Sequence, residues 1–328
     1  MSPPDSKLLE LIAPVQDGVE RMRAVLSEDL GVESKAVADM TAHIARFRGK
    51  QLRGALVLLV GQATENTSDE HPEVASIVEL IHLATLVHDD VLDGAKVRRR
   101  VACVNQRWDN QVAVLLGDFL YARAFGRSTQ LSSRLCSEVL ARTTQRICAA
   151  EIDQAASRYE FEMPQERYEA IAGAKTASLY AAACELGARY PEGREDIGAE
   201  MRRLGWDIGL AFQIIDDCLD VVADGEVVGK DVGNDIQDGK VTLPVLHIYR
   251  SASEELRGRI RDVYMQQGLD KRAERLREVC DLEPGVEYAL ARARELVDGA
   301  MLRLRSLPAS PARTAMENLA QYVLQRRW

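Results

Sequence analysis

Residues 73–93 read EVASIVELIHLATLVHDDVLD and contain the clearest indication of the architecture. It contains neither glycine nor proline, and its apolar residues recur at spacings of three and four, as at Val74, Ile77, Val78 and Ile81. Such spacing places the apolar side chains on one side of an α-helix. The stretch therefore predicts a long helix with a buried apolar face and an acidic end.

The same helical period dominates the rest of the chain, whereas alternating period-two runs are scarce. It predicts further helices over residues 8–30, 112–125, 131–159, 165–188, 197–222 and 286–304. Glycine and proline fall in the breaks, as at residues 190–193, 283–285 and 307–311. The sequence contains no linker long enough to separate two domains and no fixed-period repeat. We therefore expect one all-α domain over residues 1–328.

Composition and charge exclude several classes of protein. The chain is 46% apolar and 28% charged, which is typical of a globular domain. Its net charge of −9 offers no basic excess to neutralise phosphates, so we expect no nucleic-acid partner. No apolar run approaches the ~18 residues needed to cross a bilayer, and the first residues lack a signal-peptide pattern. The six cysteines are scattered without a Cys-x-x-Cys pair, which favours buried thiols in a reducing compartment, the cytoplasm.

Two acidic clusters carry the strongest chemical signal. Residues 89–93 read DDVLD and residues 216–220 read DDCLD, and each cluster follows an apolar stretch. Residues four apart on a helix lie ~40° apart around its axis, so Asp89 and Asp93 share a face, as do Asp216 and Asp220. Like charges at that spacing repel, and a bound cation would offset the repulsion. Ligands that are oxygen atoms alone favour a hard ion, Mg²⁺ or Mn²⁺.

The alternative interpretation is a solvated acidic helix surface. It would suffice for one such cluster, but two copies that both follow apolar stretches favour a metal site. An EF-hand is excluded because neither cluster has the calcium-binding loop with its central glycine. On the helical wheel His82 lies on the acidic side of the first cluster and Gln213 close to that of the second. We expect both to face a ligand, whereas His88 points away and is interpreted as structural.

A magnesium ion held by few carboxylates keeps its other positions for water and phosphate, which suggests a diphosphate substrate. Cations should then converge on that substrate, arginine as a bidentate donor and lysine as a point charge. Taken singly, each basic residue is more often a solvated charge. The candidates are Lys50, Arg53, Arg98, Arg99, Arg100, Lys175, Lys230 and Lys240.

Residues 224–240 form a segment with four glycines and four aspartates. Glycine permits hinge movement, and the charges could meet a ligand, so the segment could be a mobile cover over the substrate. The alternative is an ordinary surface turn, and both interpretations stay open.

Together these residues resemble the trans-polyprenyl diphosphate synthases, in particular the long-chain, octaprenyl-type members. The matching elements occur in the family's order and cover about residues 45–245. They are GKQLRG at residues 49–54, residues 80–82, DDVLD with Arg98 and Arg99, residues 151–154, Lys175-Thr176, Phe212-Gln213 with DDCLD, and residues 239–244.

The resemblance implies a single-domain isoprenoid-synthase helical bundle around a central cavity, usually a homodimer. Its substrates would be isopentenyl diphosphate and an allylic diphosphate, and its cofactor Mg²⁺ held by Asp89, Asp93, Asp216 and Asp220. The implied contacts of the allylic diphosphate are Arg98, Lys175, Thr176, Gln213, Lys230 and Lys240. Those of isopentenyl diphosphate are Lys50, Arg53, His82 and Arg99. Catalytic roles would fall to Asp89, Asp216, Lys175, Gln213 and Lys230.

The reaction that the resemblance implies proceeds by ionisation, condensation and elimination. The allylic C–O bond breaks as the diphosphate leaves, the double bond of isopentenyl diphosphate attacks C1, and a proton is lost to the departing diphosphate. The product is an all-trans polyprenyl diphosphate. Because such a product is largely hydrocarbon, its release implies at most peripheral membrane contact.

Product length depends, in this family, on the residues four and five positions before the first acidic cluster, where bulky aromatic side chains shorten the product. Here these residues are Thr85 and Ala84, which are both small. We therefore expect a medium-to-long product. A short-chain synthase, making farnesyl or geranylgeranyl diphosphate, is the first alternative.

Two departures from the family pattern are present. Residues Arg100, Val101 and Ala102 replace the usual Gly-x-Pro after the paired arginines, and Ala150 precedes Glu151 where glycine is common. The altered loop keeps open a non-catalytic subunit of a heteromeric synthase, although both acidic clusters are intact. A terpene cyclase is a further alternative, but it would not need the contacts implied for isopentenyl diphosphate.

Overall fold

The protein is helical almost throughout. A computed structural model describes residues 10–31, 34–47, 49–98, 101–222, 233–266, 269 and 271–325. Its helices are α1 (Gln16–Asp29), α2 (Lys35–Ile44), α3 (Leu52–Ala63), α4 (His71–Leu92), α5 (Val104–Arg107), α6 (Asn110–Ser128), α7 (Leu135–Ala156), α8 (Gln165–Ala172), α9 (Ser178–Arg189), α10 (Glu195–Val222), α11 (Asn234–Gln237), α12 (Leu243–Ser251), α13 (Glu254–Met265), α14 (Arg272–Val279), α15 (Glu283–Arg305) and α16 (Pro311–Leu324). The all-α prediction is confirmed.

The observed helices follow the predicted stretches closely, with one informative difference. The apolar period predicts one helix over residues 165–188, but a π-helical turn at Gly173–Ala177 separates α8 from α9. A π turn closes its hydrogen bonds one residue further along the chain than an α-helix does. The spacing of apolar residues does not resolve one extra residue, so the sequence pattern misses this turn.

The chain forms two compact units. One consists of Met1–Thr144, Leu179–Trp206 and Ala300–Ala320, and the other of Gln145–Ser178, Asp207–Gly299 and Gln321–Trp328. The first acidic cluster belongs to the first unit and the second cluster to the second. The expectation of one domain over residues 1–328 stays a prediction.

In the first unit α4 is the central helix, and it packs against α1, α3 and α6. Residues Val74, Ile77, Val78 and Ile81, which predicted the helix, are completely buried. Helices α3 and α9 meet through their backbones at Gly187. A Cβ atom at Gly187 would collide with the carbonyl oxygen of Val57. The first unit therefore relies on the absence of a side chain at this position.

The core of the second unit contains an aromatic cluster. The ring of Phe161 lies 4.9 Å from that of Tyr249 and 5.1 Å from that of Tyr264, measured between centroids. Gly239 follows α11 with φ of 77°, a conformation that favours glycine. A Cβ at Gly239 would also collide with the ring of Tyr159.

A short hairpin stands where the sequence departs from its family pattern. Strands β1 (Val97–Arg98) and β2 (Val101–Ala102) are antiparallel, with Val97 opposite Ala102. The Nε2 atom of buried His43 lies 2.7 Å from the carbonyl oxygen of Ala102 and anchors the second strand. Arg99 and Arg100 lie outside the described residues. Two of the residues that replace Gly-x-Pro, Val101 and Ala102, thus form the second strand of this hairpin.

Four of the six cysteines, Cys103, Cys136, Cys184 and Cys218, are buried as predicted. Cys148 is exposed, and Cys280 is partly exposed, so the prediction of buried thiols is wrong for these two. In the described parts of the chain, no helix combines the length and hydropathy that a membrane crossing requires.

Candidate functional site

The first acidic cluster forms the C-terminal end of α4. The backbone N–H of Asp93 donates to the carbonyl oxygen of Asp89 over 2.8 Å, so the helical spacing continues through the cluster. Both residues are half-buried. The two carboxylates therefore leave the helix one turn apart, as the sequence pattern predicts.

Asp90, the second of the three aspartates in this cluster, has a different environment. Its side chain is fully buried, and its Oδ1 atom accepts from Nε and Nη2 of Arg98, each at 2.8 Å. The Asn105 side chain donates to the carbonyl oxygens of Asp90 and Ala95, at 3.0 and 3.1 Å. Arg98, predicted to contact a diphosphate, is therefore tied to the end of α4 by a buried ion pair.

Two of the four residues implied for isopentenyl diphosphate meet in the first unit. The Arg53 guanidinium lies 3.0 Å from Nε2 of His82 and stacks over the ring of Tyr180, 4.3 Å from its centroid. Because arginine can only donate, Nε2 accepts and the His82 proton resides on Nδ1. Lys50 is half-buried just before α3, and Arg99 lies outside the described residues. Nothing in the sequence marked Tyr180.

The second acidic cluster lies near the end of α10. Asp220 accepts the backbone N–H groups of Gly233 and Asn234 at Oδ1, over 3.1 and 3.3 Å, and that of Asp235 at Oδ2, over 3.0 Å. Its side chain thus caps the start of α11. Burial, followed by the negative charge of Asp235, raises the pKa of Asp220 to about 7.

The donor chemistry of the two clusters fits a hard cation. Their side chains offer carboxylate oxygens, and the raised pKa of Asp220 reflects negative charge held in a poorly solvated place. Within the described residues, no three His, Cys, Asp or Glu side chains form a complete metal-binding group. Mg²⁺ is ordinarily bound by one or two carboxylates, with water and phosphate in its other positions. The residues that could hold it are Asp89, Asp93, Asp216 and Asp220.

The predicted lysines of the second unit are ion-paired. Lys175 Nζ lies 2.9 Å from Oε2 of Glu151 and 3.0 Å from Oε1 of Gln154. Lys240 Nζ lies 3.2 Å from Oδ1 of Asp235 and 3.5 Å from Oδ2 of Asp238. These contacts hold both ammonium groups in place. Lys230 lies outside the described residues.

Thr176 and Gln213 belong to a chain of hydrogen bonds in the second unit. The Thr176 hydroxyl donates to Oε1 of Gln213 over 2.6 Å, and Nε2 of Gln213 donates to Oδ1 of Asp217 over 2.7 Å. The Tyr168 hydroxyl donates to Oδ2 of Asp217 over 2.5 Å. Neither the contact of Asp217 with Gln213 nor its contact with Tyr168 was predicted from the sequence.

The residues implied for product length lie in the middle of α4. Ala84 is completely buried, and Thr85 is half-buried with its hydroxyl donating to the carbonyl oxygen of His82 over 2.8 Å. His88, interpreted as structural, has Nε2 3.0 Å from the carbonyl oxygen of Val114. Of the glycine-rich segment, residues 224–232 lie outside the described residues, so its two interpretations stay open.

Comparisons with known proteins show the family to which the chain is similar. The family model of the polyprenyl synthetases matches residues 34–282. The chain is similar to the all-trans-nonaprenyl-diphosphate synthase (geranyl-diphosphate specific) of Rhodobacter capsulatus, with 32% identity over 97% of each chain. It is 34% identical to the octaprenyl diphosphate synthase of Escherichia coli over 98% of each chain. It is also 32% identical to heptaprenyl diphosphate synthase component 2 of Geobacillus stearothermophilus, over 98% of this chain and 99% of that one.

Among solved structures, the chain resembles a polyprenyl synthase from Caulobacter crescentus that was crystallised with calcium and isoprenyl diphosphate. The TM-score is 0.91, with 31% identity over 98% of each chain. A decaprenyl diphosphate synthase from Rhodobacter capsulatus gives a TM-score of 0.89, with 30% identity over 96% of this chain and 98% of that one. Sequence and fold thus agree over nearly the whole length, and the chain belongs to the polyprenyl synthetase family.

Proposed function

We propose that this protein is a prenyltransferase that condenses an allylic diphosphate with isopentenyl diphosphate into an all-trans polyprenyl diphosphate of medium to long chain. The observation that carries the proposal is the pair of aspartates one turn apart at the end of α4, with the second DDxxD in α10. Both acidic clusters occur in a chain that matches named polyprenyl diphosphate synthases over nearly its full length.

Different side chains bind the two substrates. Lys175, Lys230 and Lys240 supply positive charge to the allylic diphosphate, with Arg98, Thr176 and Gln213 as further contacts. Lys50, Arg53, His82 and Arg99 bind isopentenyl diphosphate and hold its double bond close to C1 of the allylic partner. Mg²⁺ on Asp89, Asp93, Asp216 and Asp220 supplies positive charge that stabilises the leaving diphosphate.

The ion pairs explain how the cations stay ordered before substrate binds. Glu151 and Gln154 hold the Lys175 ammonium, and Asp90 holds the Arg98 guanidinium. Pre-placed charges stabilise the developing negative charge of the diphosphate without reorganising during the reaction. The C–O bond then breaks, the new C–C bond forms, and the leaving diphosphate accepts the proton.

The test is incubation of the purified chain with Mg²⁺, farnesyl diphosphate and labelled isopentenyl diphosphate, followed by chromatography of the products. Extension beyond C20 is expected. Arrest at C15 or C20 with excess isopentenyl diphosphate would identify a short-chain synthase. Diphosphate release without use of isopentenyl diphosphate would identify a terpene cyclase.

A second candidate is a subunit that needs a different partner chain, since one relative is named as component 2 of a heptaprenyl synthase. Prenyl transfer by the purified chain alone would exclude it. We propose instead a homodimer in the cytoplasm with at most peripheral membrane contact. Light scattering of the pure protein tests the dimer, and sedimentation with lipid vesicles tests the membrane contact.

Removing divalent metal is expected to stop the reaction. With a chelator in excess, product formation should fall by at least about 100-fold, because nothing then offsets the repulsion between carboxylates and diphosphate. Adding Mg²⁺ or Mn²⁺ above the chelator concentration should restore the rate. The circular dichroism spectrum serves as the control and should not change on chelation. Undiminished turnover in the chelator would contradict the metal assignment.

Thr85→Phe is expected to shorten the product. Thr85 is half-buried, whereas Ala84 is completely buried and a ring there would overpack the core, so the substitution is made at Thr85. The family resemblance implies that this ring blocks the growing chain. Thr85→Val is the matched control, because it keeps the side-chain size and should keep the product length. Chromatography of the products checks both variants, and equal chain lengths would refute the role of Thr85.

A further inference from the structure

The chain of hydrogen bonds from Tyr168 to Thr176 has a defined direction. Tyr168 and Asp217 are buried, with 6% and 4% of their surfaces exposed, while Gln213 and Thr176 are half-buried. Tyr168 and the amide of Gln213 both donate to Asp217, one to each carboxylate oxygen. A carboxylate that accepts from both sides directs the Nε2 end of the Gln213 amide towards itself. The carbonyl end of that amide therefore points to Thr176.

This direction determines which protons remain for a ligand. The Thr176 hydroxyl has one proton, and it is donated to Oε1 of Gln213. The amide of Gln213 has two N–H bonds, and Asp217 uses one of them. Among the described residues, the second N–H has no acceptor. Within this chain of hydrogen bonds, the group left to donate to a diphosphate is thus the second N–H of Gln213.

Tyr168 holds the far end of the chain. Burial, and then the neighbouring Asp217, raise the pKa of its phenol well above the usual range, so it stays a donor. Without that donor Asp217 would lose one of its two hydrogen bonds in a place that water barely reaches. Asp217 would then be held by the amide of Gln213 alone, and this amide would no longer be fixed by a carboxyl group anchored at its other oxygen.

We propose that Tyr168 and Asp217 are positioning residues of the allylic-diphosphate site, and that they orient the Gln213 amide so that its free N–H binds the diphosphate. In this arrangement Thr176, for which the resemblance implies a direct contact with the diphosphate, instead holds the amide's carbonyl oxygen and acts through Gln213. The inference rests on the proposed function and deepens it, because it distinguishes the residue that donates to the substrate, Gln213, from the three residues that orient its amide.

The test is Tyr168→Phe, which removes one buried hydroxyl and keeps the ring. The KM for the allylic diphosphate should rise by about 10- to 150-fold, as for loss of a hydrogen bond to a charged group. The KM for isopentenyl diphosphate should stay within about twofold, because the loss is confined to this chain of hydrogen bonds. Tyr249→Phe is the matched control, because Tyr249 is a buried tyrosine of the same unit that lies outside this chain of hydrogen bonds. It should change neither of the two KM values.

A double-mutant cycle separates positioning from a general structural effect. Tyr168 and Thr176 act through the same amide, so Tyr168→Phe with Thr176→Val should raise the allylic KM no more than the larger single change does. Multiplicative effects, or a Tyr168→Phe enzyme that behaves like Tyr249→Phe, would overturn the inference. If Tyr168→Phe does not fold, Asp217→Leu replaces it, because it removes the acceptor that fixes the Nε2 end of the Gln213 amide.

The wild-type chain distinguishes the two levels of the proposal. Equilibrium binding of farnesyl diphosphate with Mg²⁺, in the absence of isopentenyl diphosphate, is measured alongside turnover. A wild-type chain that neither binds nor reacts overturns the proposed function and this inference together. A wild-type chain that does both, with an unchanged Kd in Tyr168→Phe, overturns the inference alone.

Discussion

Asp89→Ala is expected to lower kcat/KM for prenyl transfer by at least about 1,000-fold, the scale at which a central electrostatic contact is lost. Asp89 lies half-buried at the end of α4, one turn before Asp93. In the proposed function Asp89 and Asp93 hold a divalent cation together, so removing Asp89 would weaken the binding of the charge that stabilises the leaving diphosphate. The measurement is steady-state incorporation of labelled isopentenyl diphosphate at saturating Mg²⁺.

The fold should survive this substitution, because relieving a repulsive i,i+4 pair of aspartates does not weaken the helix. Asp69→Ala is the matched control, since it makes the same chemical change at a fully exposed side chain of the same unit. It should leave turnover and melting temperature unchanged. Near-normal turnover by Asp89→Ala, with the melting temperature of the wild type, would exclude Asp89 as a metal ligand.

Gly187→Ala should destabilise the protein although alanine is the better helix former. A Cβ at residue 187 would collide with the carbonyl oxygen of Val57 and lie 2.9 Å from the Cβ of Val60. Backbone cannot move aside as the end of a flexible side chain can, so α3 and α9 must separate. We expect the free energy of unfolding to fall by about 2 to 3 kcal/mol. The melting temperature should fall by roughly 3 to 4 °C.

Gly126→Ala is the control for this prediction because it is the same substitution inside another helix, α6. A Cβ at residue 126 meets nothing within 4 Å. The free energy of unfolding should therefore rise by about 0.5 to 1 kcal/mol through helix propensity alone. Thermal and denaturant unfolding of both variants provide the comparison. Equal shifts in the two variants would show that close packing at Gly187 does not matter.

The helical architecture could be predicted from sequence because the decisive information is local. The spacing of apolar residues in residues 73–93 is sufficient to define α4 and its buried face. The π turn at Gly173–Ala177 could not be predicted in this way. It adds a single residue to a helical pattern, and apolar spacings of three and four tolerate that addition.

The candidate site could be predicted only in part, for a similar reason. Helix geometry was enough to place Asp89 and Asp93 one turn apart. It could not supply partners that are distant in sequence, such as Glu151 for Lys175 or Tyr168 for Asp217, which are 24 and 49 residues apart. Such contacts arise from packing between helices, and a helical wheel describes each helix alone.

Lys175 and Thr176, two of the proposed contacts of the allylic diphosphate, both lie inside the π turn at Gly173–Ala177. A π turn closes its hydrogen bond one residue further along the chain than an α-helical turn, so it takes up one extra residue locally. Deleting that residue would leave an α-helical turn and change the directions of the Lys175 and Thr176 side chains. The contacts of Lys175 with Glu151 and of Thr176 with Gln213 therefore depend on this extra residue.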